Sequence, residues 1–138
     1  MLKREFNKIS IPAFNFVLHE TVQIGDIIFA TSHNEVKVTK IENLLSKNDE
    51  VKTTALASLY QYRASHSTCT YMNKSLFVAG GTSGAFFGSC LSAVNRFDFE
   101  TNQFHDAPPL NEPRMFFGTF ELNGSVYAVG GYSGKGIV

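Results

Sequence analysis

The sequence predicts an all-β protein built from repeated four-stranded antiparallel sheets. Two segments carry this prediction: SLFVAGG at 75–81 and SVYAVGG at 125–131 are short apolar runs that end at two adjacent glycines. Each run follows another strand-forming segment across Asn-Lys or Asn-Gly, a pattern typical of a β-hairpin. The thirteen phenylalanines and five tyrosines also favour β-structure.

The two hairpins belong to a repeat of about fifty residues. Leu59 and Arg63 match Leu110 and Arg114 at a spacing of 51, and the glycine pairs match at a spacing of 50. The one-residue difference falls between the arginine and the hairpin turn. Since the second strand of each hairpin is apolar on both faces, we expect both of these strands to be covered on both sides.

Two further strands are predicted between the glycine pairs. Residues 94–99 alternate in character with a period of two, and residues 100–102 form a turn. A fourth strand begins at 103–105 and ends before Pro108. One repeat is therefore four strands.

A weaker copy precedes the full repeat. Residues 24–32 align with 73–81 at a spacing of 49, but Thr31 and Ser32 replace the glycines, and a third strand begins near Val36. Residues 41–62 fit either helical spacing or strands, and the repeat favours strands. The predicted organisation is a loose tail at 1–10, a degenerate repeat at 11–62, a full repeat at 63–113 and the first hairpin of a further repeat at 114–138.

Charge and apolar patterning exclude several classes of protein. Twelve basic and twelve acidic residues give a net charge of zero, which offers no electrostatic support for binding nucleic acid or a membrane surface. No apolar run approaches the ~20 residues of a membrane span, and the N-terminus lacks the apolar core of a signal peptide. We therefore expect a cytoplasmic protein. Cys69 and Cys90 are predicted to be reduced thiols rather than a disulfide or a zinc site.

The glycine pairs have a structural interpretation and a phosphate-binding one. The second is unsupported, because the segment at 130–136 is one residue short of the phosphate-loop motif and has glycine in place of its hydroxyl residue. Glycine at a strand end allows a positive φ and close approach of another backbone. We therefore predict that Gly80, Gly81, Gly130 and Gly131 are structural.

These features together resemble the kelch-repeat family. The resemblance rests on the glycine pairs, on Arg63 and Arg114, and on the segment FDFETNQF at 97–104, which is similar to the family signature Tyr-Asp-Pro-x-Thr-Asn-x-Trp. Asp98, Thr101 and Asn102 match that signature, while Phe97, Phe99 and Phe104 stand in place of its tyrosine, proline and tryptophan. The match is specific over 63–131 and weak over 24–62.

The resemblance implies a partial β-propeller, in which each repeat is one four-stranded blade. A closed propeller has typically 4–8 blades, more than this chain provides. We therefore expect, in order of preference, a piece of a larger protein, an assembly of several copies, or a truncated product. It also implies a partner-binding face formed by two loop types. The candidate contacts are Arg63, Ser65, His66, Thr82, Ser83, Phe86, Phe87, Arg114, Phe116, Tyr132 and Ser133. Two alternatives stay open: the arginines brace the blade junctions, and one of Phe116 and Phe117 belongs to the core.

The function implied by the resemblance is a non-enzymatic protein-interaction module. Many members of the family form the substrate-recognition part of a cullin-based ubiquitin-ligase adaptor, joined to BTB and BACK domains. The alternatives are a fragment of a copper oxidase on a kelch-type propeller, or a truncated product without function. We expect no catalytic residue, metal or cofactor, and a protein or peptide as the partner.

Overall fold

The computed structural model describes residues 18–25, 27–32, 35–43, 50–84 and 89–138. These residues form ten β-strands and no helix. The strands are β1 Leu18–Ile24, β2 Ile27–Ser32, β3 Glu35–Glu42, β4 Lys52–Tyr62, β5 Ser67–Tyr71, β6 Ser75–Ala79, β7 Val94–Asp98, β8 Gln103–Ala107, β9 Gly118–Leu122 and β10 Ser125–Val129. The described part of the chain contains no helix long and apolar enough to cross a membrane.

The strands form three antiparallel sheets, each following chain order. We call β1–β4 blade I, β5–β8 blade II and the two-stranded sheet β9–β10 blade III. The strands predicted between the glycine pairs are confirmed as β7 and β8. The predicted tail at 1–10 lies outside the described residues.

Strand was the correct choice for the ambiguous segment. Residues 52–62 form β4, which pairs along its length with β3, including Val38 with Ala57 and Val36 with Leu59. This ladder pairs the backbone groups of β4 that face β3, and Leu56, Ala57 and Leu59 pack against the core, so tertiary pairing overrides the helical spacing. Leu44 and Leu45 lie outside the described residues.

The length of the hairpin turn explains the one-residue difference in the repeat spacing. The hairpin of blade III turns through two residues, Asn123 and Gly124, because Leu122 pairs with Ser125. In blade II Tyr71 pairs with Ser75, which leaves three residues in the turn. The spacing is therefore 51 before the turn and 50 after it.

The main core lies between blades I and II. Its buried side chains are Phe29, Val36, Val38, Leu76, Val78 and Phe97, and a smaller cluster of Ala79, Val94 and Phe117 joins blades II and III. As predicted, β6 is covered on both faces. The same prediction is wrong for β10, where alternate side chains are exposed, because no further blade packs on its outer face within the described residues.

The first strands of the three blades lie side by side. The Glu20 carboxylate on β1 accepts hydrogen bonds from the backbone N–H and the hydroxyl (2.7 Å) of Thr68 on β5. The hydroxyls of Ser67 on β5 and Thr119 on β9 are 3.0 Å apart. The blades therefore fan out from a shared inner row of strands.

Candidate functional site

The loops predicted to bind a partner meet at one end of the blades. Because the strands are antiparallel, the start of β5, the end of β6 and the start of β7 lie at the same end. We call this the loop end; it comprises residues 63–66, 80–84, 89–93, 108–117 and 130–138. The hairpin turns at 72–74, 99–102 and 123–124 lie at the opposite end.

Arg63 braces the interior of blade II. Its side chain is 0% exposed, and its guanidinium donates to Val78 O (3.1 Å), Ala93 O (3.4 Å), Gln61 Oε1 (2.8 Å) and Asn95 Oδ1 (2.8 Å). Burial lowers the pKa of Arg63. This is the bracing role that the sequence left open, and it leaves no surface of Arg63 to a peptide.

Three other candidate contacts, Ser65, His66 and Thr82, are also buried. The imidazole of His66 is 3.2 Å from both the Thr31 hydroxyl and Arg63 O, so it joins blade I to the loop. Thr82 exchanges backbone hydrogen bonds with Ala64. These residues shape the loop end from within instead of lining its surface.

Arg114 is the repeat equivalent of Arg63 but has fewer hydrogen-bond partners. It is half-buried, donates from Nη1 to Gly130 O at 3.0 Å and from Nε to Glu112 O at 3.5 Å, and lies 6.0 Å from the centre of the Phe117 ring. No third strand supplies an acceptor like Asn95 to it within the described residues. Its guanidinium is therefore partly available at the loop end.

Phe116 and Phe117 divide into one exposed and one buried residue. Phe117 packs in the cluster between blades II and III, whereas Phe116 is 71% exposed. Phe116 has a φ of 55°, a conformation that is a real outlier for a bulky side chain. Its backbone N–H donates to Ser65 O at 3.2 Å, which ties this loop to the preceding blade.

Tyr132 is the second exposed aromatic side chain at the loop end. It is 40% exposed and exchanges backbone hydrogen bonds with Met115 at 3.0 and 2.9 Å. Its hydroxyl donates to Gly134 O at 3.3 Å. Ser83 is exposed and Ser133 half-buried. Phe86 and Phe87 lie outside the described residues.

The signature Asp98-Thr101-Asn102 forms a turn at the opposite end. Asp98 Oδ1 accepts from the backbone N–H groups of Glu100 (2.9 Å) and Thr101 (3.0 Å). The hydrogen bond from Thr101 is the largest cause that lowers the pKa of Asp98. Asn102 takes a positive φ of 55°. The ring centroids of Phe104 and Phe97 lie 5.2 Å apart. The motif therefore holds β7 to β8 and stabilises the core.

The glycine pairs permit close backbone contacts. A Cβ at Gly81 (φ 97°) would lie 2.5 Å from Ala64 O, and one at Gly131 (φ 104°) would lie 2.6 Å from Met115 O. A Cβ at Gly80 would lie 2.5 Å from Arg114 O, while one at Gly130 would meet nothing within 4 Å. Three of the four glycines therefore let neighbouring backbone pack where no other residue fits.

The loop end presents groups that suit contact with a partner. Among its exposed groups in the described residues are the rings of Phe116 and Tyr132, the partly available guanidinium of Arg114 and serine hydroxyls, which together offer apolar contact and hydrogen bonds. In the ranges that the structure describes, no three His, Cys, Asp or Glu side chains cluster closely enough to hold a metal.

The hydrogen-bond partners of Arg63 were not predicted from the sequence. Asn95 is buried and also donates to Asp106 Oδ1 at 2.9 Å. A signal was present: Asn95 shares the strand face of Phe97 and Phe99, and an amide on an apolar face implies a buried polar partner.

Comparisons with known proteins agree with this geometry. The family model described as Kelch motif matches residues 63–111. Kelch-like protein 8 of Caenorhabditis elegans is 34% identical over 74 residues, which cover 51% of this chain and 10% of that protein. A solved structure titled "Structure of YjhT" superposes with a TM-score of 0.68 at 19% identity, covering 83% of this chain and 34% of that one.

The structural match supports the fold alone, and the chain spans about a tenth of the relative and a third of the solved structure. The fold is a partial all-β propeller. The family match falls on blade II, where Arg63, the glycine pair and the Asp98 turn occur together. Residues 63–111 therefore match a Kelch motif, and the two sequence matches support a kelch-repeat protein over this part of the chain.

Proposed function

We propose that the chain is a non-enzymatic protein-interaction module that binds a partner peptide at its loop end. The observation that carries the proposal is Phe116, a large apolar side chain that is exposed at a positive φ. The repeat-equivalent Ser65 has a similar φ of 53°, so the repeat fixes this backbone conformation, and at Phe116 it holds a large ring in solvent. The kelch motif and the Kelch-like relative support a protein-interaction module of this kind.

The backbone around Phe116 is held on both sides. Its own N–H is bonded to Ser65 in the preceding loop, and its neighbour Met115 is bonded to Tyr132 in the following one. Ordering this loop therefore costs little on binding, since it is already fixed. Exposed aromatic side chains on fixed backbone are typical of binding hot spots.

The partner chemistry follows from the groups beside these rings. Arg114 offers a charge-assisted hydrogen bond, and the hydroxyls of Ser83 and Ser133 offer neutral ones. We infer a peptide with an apolar anchor residue next to an acidic or amide side chain. Phe86 and Phe87 remain predicted contacts, tested by Phe86→Ala with Phe87→Ala, which should weaken capture without lowering stability.

The test is a peptide-display selection on the immobilised chain, followed by affinity measurement on purified variants. Phe116→Asn removes the ring and keeps a residue that tolerates positive φ. Met72→Asn is the matched control, because Met72 is 59% exposed with a φ of 50° at the opposite end. Loss of a hot-spot ring costs about 2 kcal/mol or more, so we expect about thirtyfold weaker binding for Phe116→Asn only. Equal affinities for the two variants would refute the site.

A finer proposal is substrate recognition for a cullin-based ubiquitin ligase in the cytoplasm. The resemblance to the kelch-repeat family, many members of which have this role, supports it. The role requires BTB and BACK domains in the full-length protein. Immunoblotting of fractionated cell extract with an antibody against residues 63–131 gives the native size and the compartment. Coprecipitation with a cullin tests the ligase role. Full-length protein without bound cullin would contradict it.

The non-enzymatic part of the proposal has a separate test. An enzyme of the copper-oxidase class would carry a bound metal, so elemental analysis of the native protein distinguishes the two. We expect copper at the level of a metal-free control protein. Stoichiometric copper would overturn the non-enzymatic proposal.

A further inference from the structure

The hairpin turn of blade III carries an asparagine followed by a glycine at an exposed position. Asn123 and Gly124 are the two turn residues, with positive φ values of 52° and 74°. Both are exposed, and a Cβ at Gly124 would meet no atom within 4 Å. The equivalent turn residue Asn73 of blade II, a sheet with all four strands, is exposed as well. The exposure therefore comes from the position of the turn in the blade and not from the two-stranded form of blade III.

An asparagine side chain that precedes glycine is open to attack by the next backbone nitrogen. The reaction joins the nitrogen of Gly124 to Cγ of Asn123, forms a five-membered succinimide and releases ammonia. Water then opens the ring at either carbonyl, which leaves aspartate or isoaspartate at this position. The sum is asparagine plus water giving aspartate or isoaspartate plus ammonia. Because glycine has no side chain to hinder the approach, the turn exposes both reacting atoms.

The attacking backbone nitrogen already faces a carboxylate. The N–H of Gly124 donates to Glu121 Oε1 at 2.7 Å. The nitrogen must lose this proton as its bond to Cγ forms, and a carboxylate at hydrogen-bond distance can accept the proton as a general base. The proton then leaves with the side-chain nitrogen as ammonia, so the carboxylate is regenerated. In blade II the equivalent N–H of Lys74 donates to the backbone carbonyl of Tyr71 at 3.0 Å, and an amide carbonyl is too weak a base for this role.

We propose that Asn123 is a site of spontaneous deamidation in the folded protein and that Glu121 sets its rate as the general base. The site lies at the end of the blades opposite the loop end, so it does not depend on the proposed peptide-binding function. The modification changes the contact between blades II and III. Isoaspartate adds one atom to the main chain before Gly124, whose carbonyl accepts a hydrogen bond from the Tyr71 hydroxyl at 3.3 Å. Either product also places a second carboxylate near that of Glu121, and neighbouring like charges destabilise a hairpin.

The test follows each asparagine by peptide mapping and mass spectrometry while the full 138-residue chain is kept in neutral buffer at body temperature. An isoaspartyl-specific methyltransferase with S-adenosylmethionine distinguishes isoaspartate from aspartate in the same peptides. Two variants isolate the effect of the carboxylate. Glu121→Gln keeps a hydrogen-bond acceptor without the basic group, and Lys74→Gly gives blade II an asparagine–glycine turn whose N–H faces a carbonyl. Synthetic peptides of residues 115–135, with and without Glu121→Gln, give the rates outside the fold.

We expect Asn123 to react faster than Asn73 in the folded wild type, and Glu121→Gln to slow its reaction about tenfold because the general base is lost. In Lys74→Gly, Asn73 should react about tenfold more slowly than Asn123. In the synthetic peptides Glu121→Gln should have little effect, since no fold holds the carboxylate on the N–H. Equal or faster reaction of folded Glu121→Gln, equal rates at the two turns of Lys74→Gly, or an intact Asn123 after the peptide has reacted would overturn the proposal. Equal slowing by Glu121→Gln in peptide and folded chain would also overturn it.

Discussion

Replacing the first glycine of each pair by alanine tests the packing between blades. Gly80 and Gly130 occupy the same position in successive repeats and have similar φ values of 59° and 69°. They differ in what a Cβ would meet. At Gly80 it would lie 2.5 Å from Arg114 O and 2.7 Å from the Phe117 ring, whereas at Gly130 it would meet no atom within 4 Å.

The two substitutions therefore share one cost and differ in another. A left-handed alanine costs about 1 kcal/mol relative to glycine, and this applies to both. Overpacking adds about 1–3 kcal/mol and applies only to Gly80→Ala, because the carbonyl of Arg114 is backbone and cannot move aside cheaply. We expect losses of about 3 kcal/mol for Gly80→Ala and about 1 kcal/mol for Gly130→Ala.

Urea unfolding followed by circular dichroism measures the free energy of unfolding of each variant. Gly81→Ala and Gly131→Ala are the internal controls, because a Cβ would meet a backbone carbonyl at 2.5 and 2.6 Å respectively, and they should lose similar stability. Equal losses for Gly80→Ala and Gly130→Ala would refute the account of the blade junction.

Three further predictions concern single side chains. Arg63→Met should lower the free energy of unfolding by about 3 kcal/mol, because it leaves buried acceptors unpaired, and Arg114→Met by about 1 kcal/mol; equal losses in urea unfolding would contradict the difference in burial. The folded state lowers the pKa of Asp98 below its usual value of 3.8, so its stabilisation is present above that pH and lost as pH falls through the lower folded-state pKa. Asp98→Asn should therefore flatten the acid dependence of the urea midpoint, and an unchanged dependence would refute the turn's role. Burial is the main cause that raises the pKa of Cys69, whereas Cys90 is half-buried. With Ellman's reagent we expect one fast thiol that Cys90→Ser removes and Cys69→Ser retains; two fast thiols would contradict the burial of Cys69.

The strands of blade II could be predicted because local signals coincide there. The Asn73 turn, the alternation around Phe97 and the glycine pair all indicate the same register, and the structure agrees. Blade I was harder to predict, because serine and threonine replace its glycines and Ala55 and Leu59 also fit a helix. Pairing with β3 decided that segment, and long-range pairing leaves no local signal.

The sequence predicted where the candidate site lies, but it did not distinguish the exposed residues of the site from the buried ones. Arg63 and Arg114 match in sequence, yet one is enclosed by β7 and the other is not. Ser65 and Phe116 have similar positive φ values of 53° and 55°, although Ser65 is buried and Phe116 is exposed. Exposure here depends on which neighbouring strands are present, and the local sequence does not encode that.

Binding of a peptide at the loop end through Phe116 and Tyr132 is tested most directly by nuclear magnetic resonance. A selected peptide is titrated into isotope-labelled protein, and the changes in backbone amide chemical shifts are mapped. We expect the largest changes at residues 114–117 and 130–134, with little change at the turns of 72–74 and 123–124. Changes centred on those turns, or on the exposed face of β9 and β10, would contradict the claim.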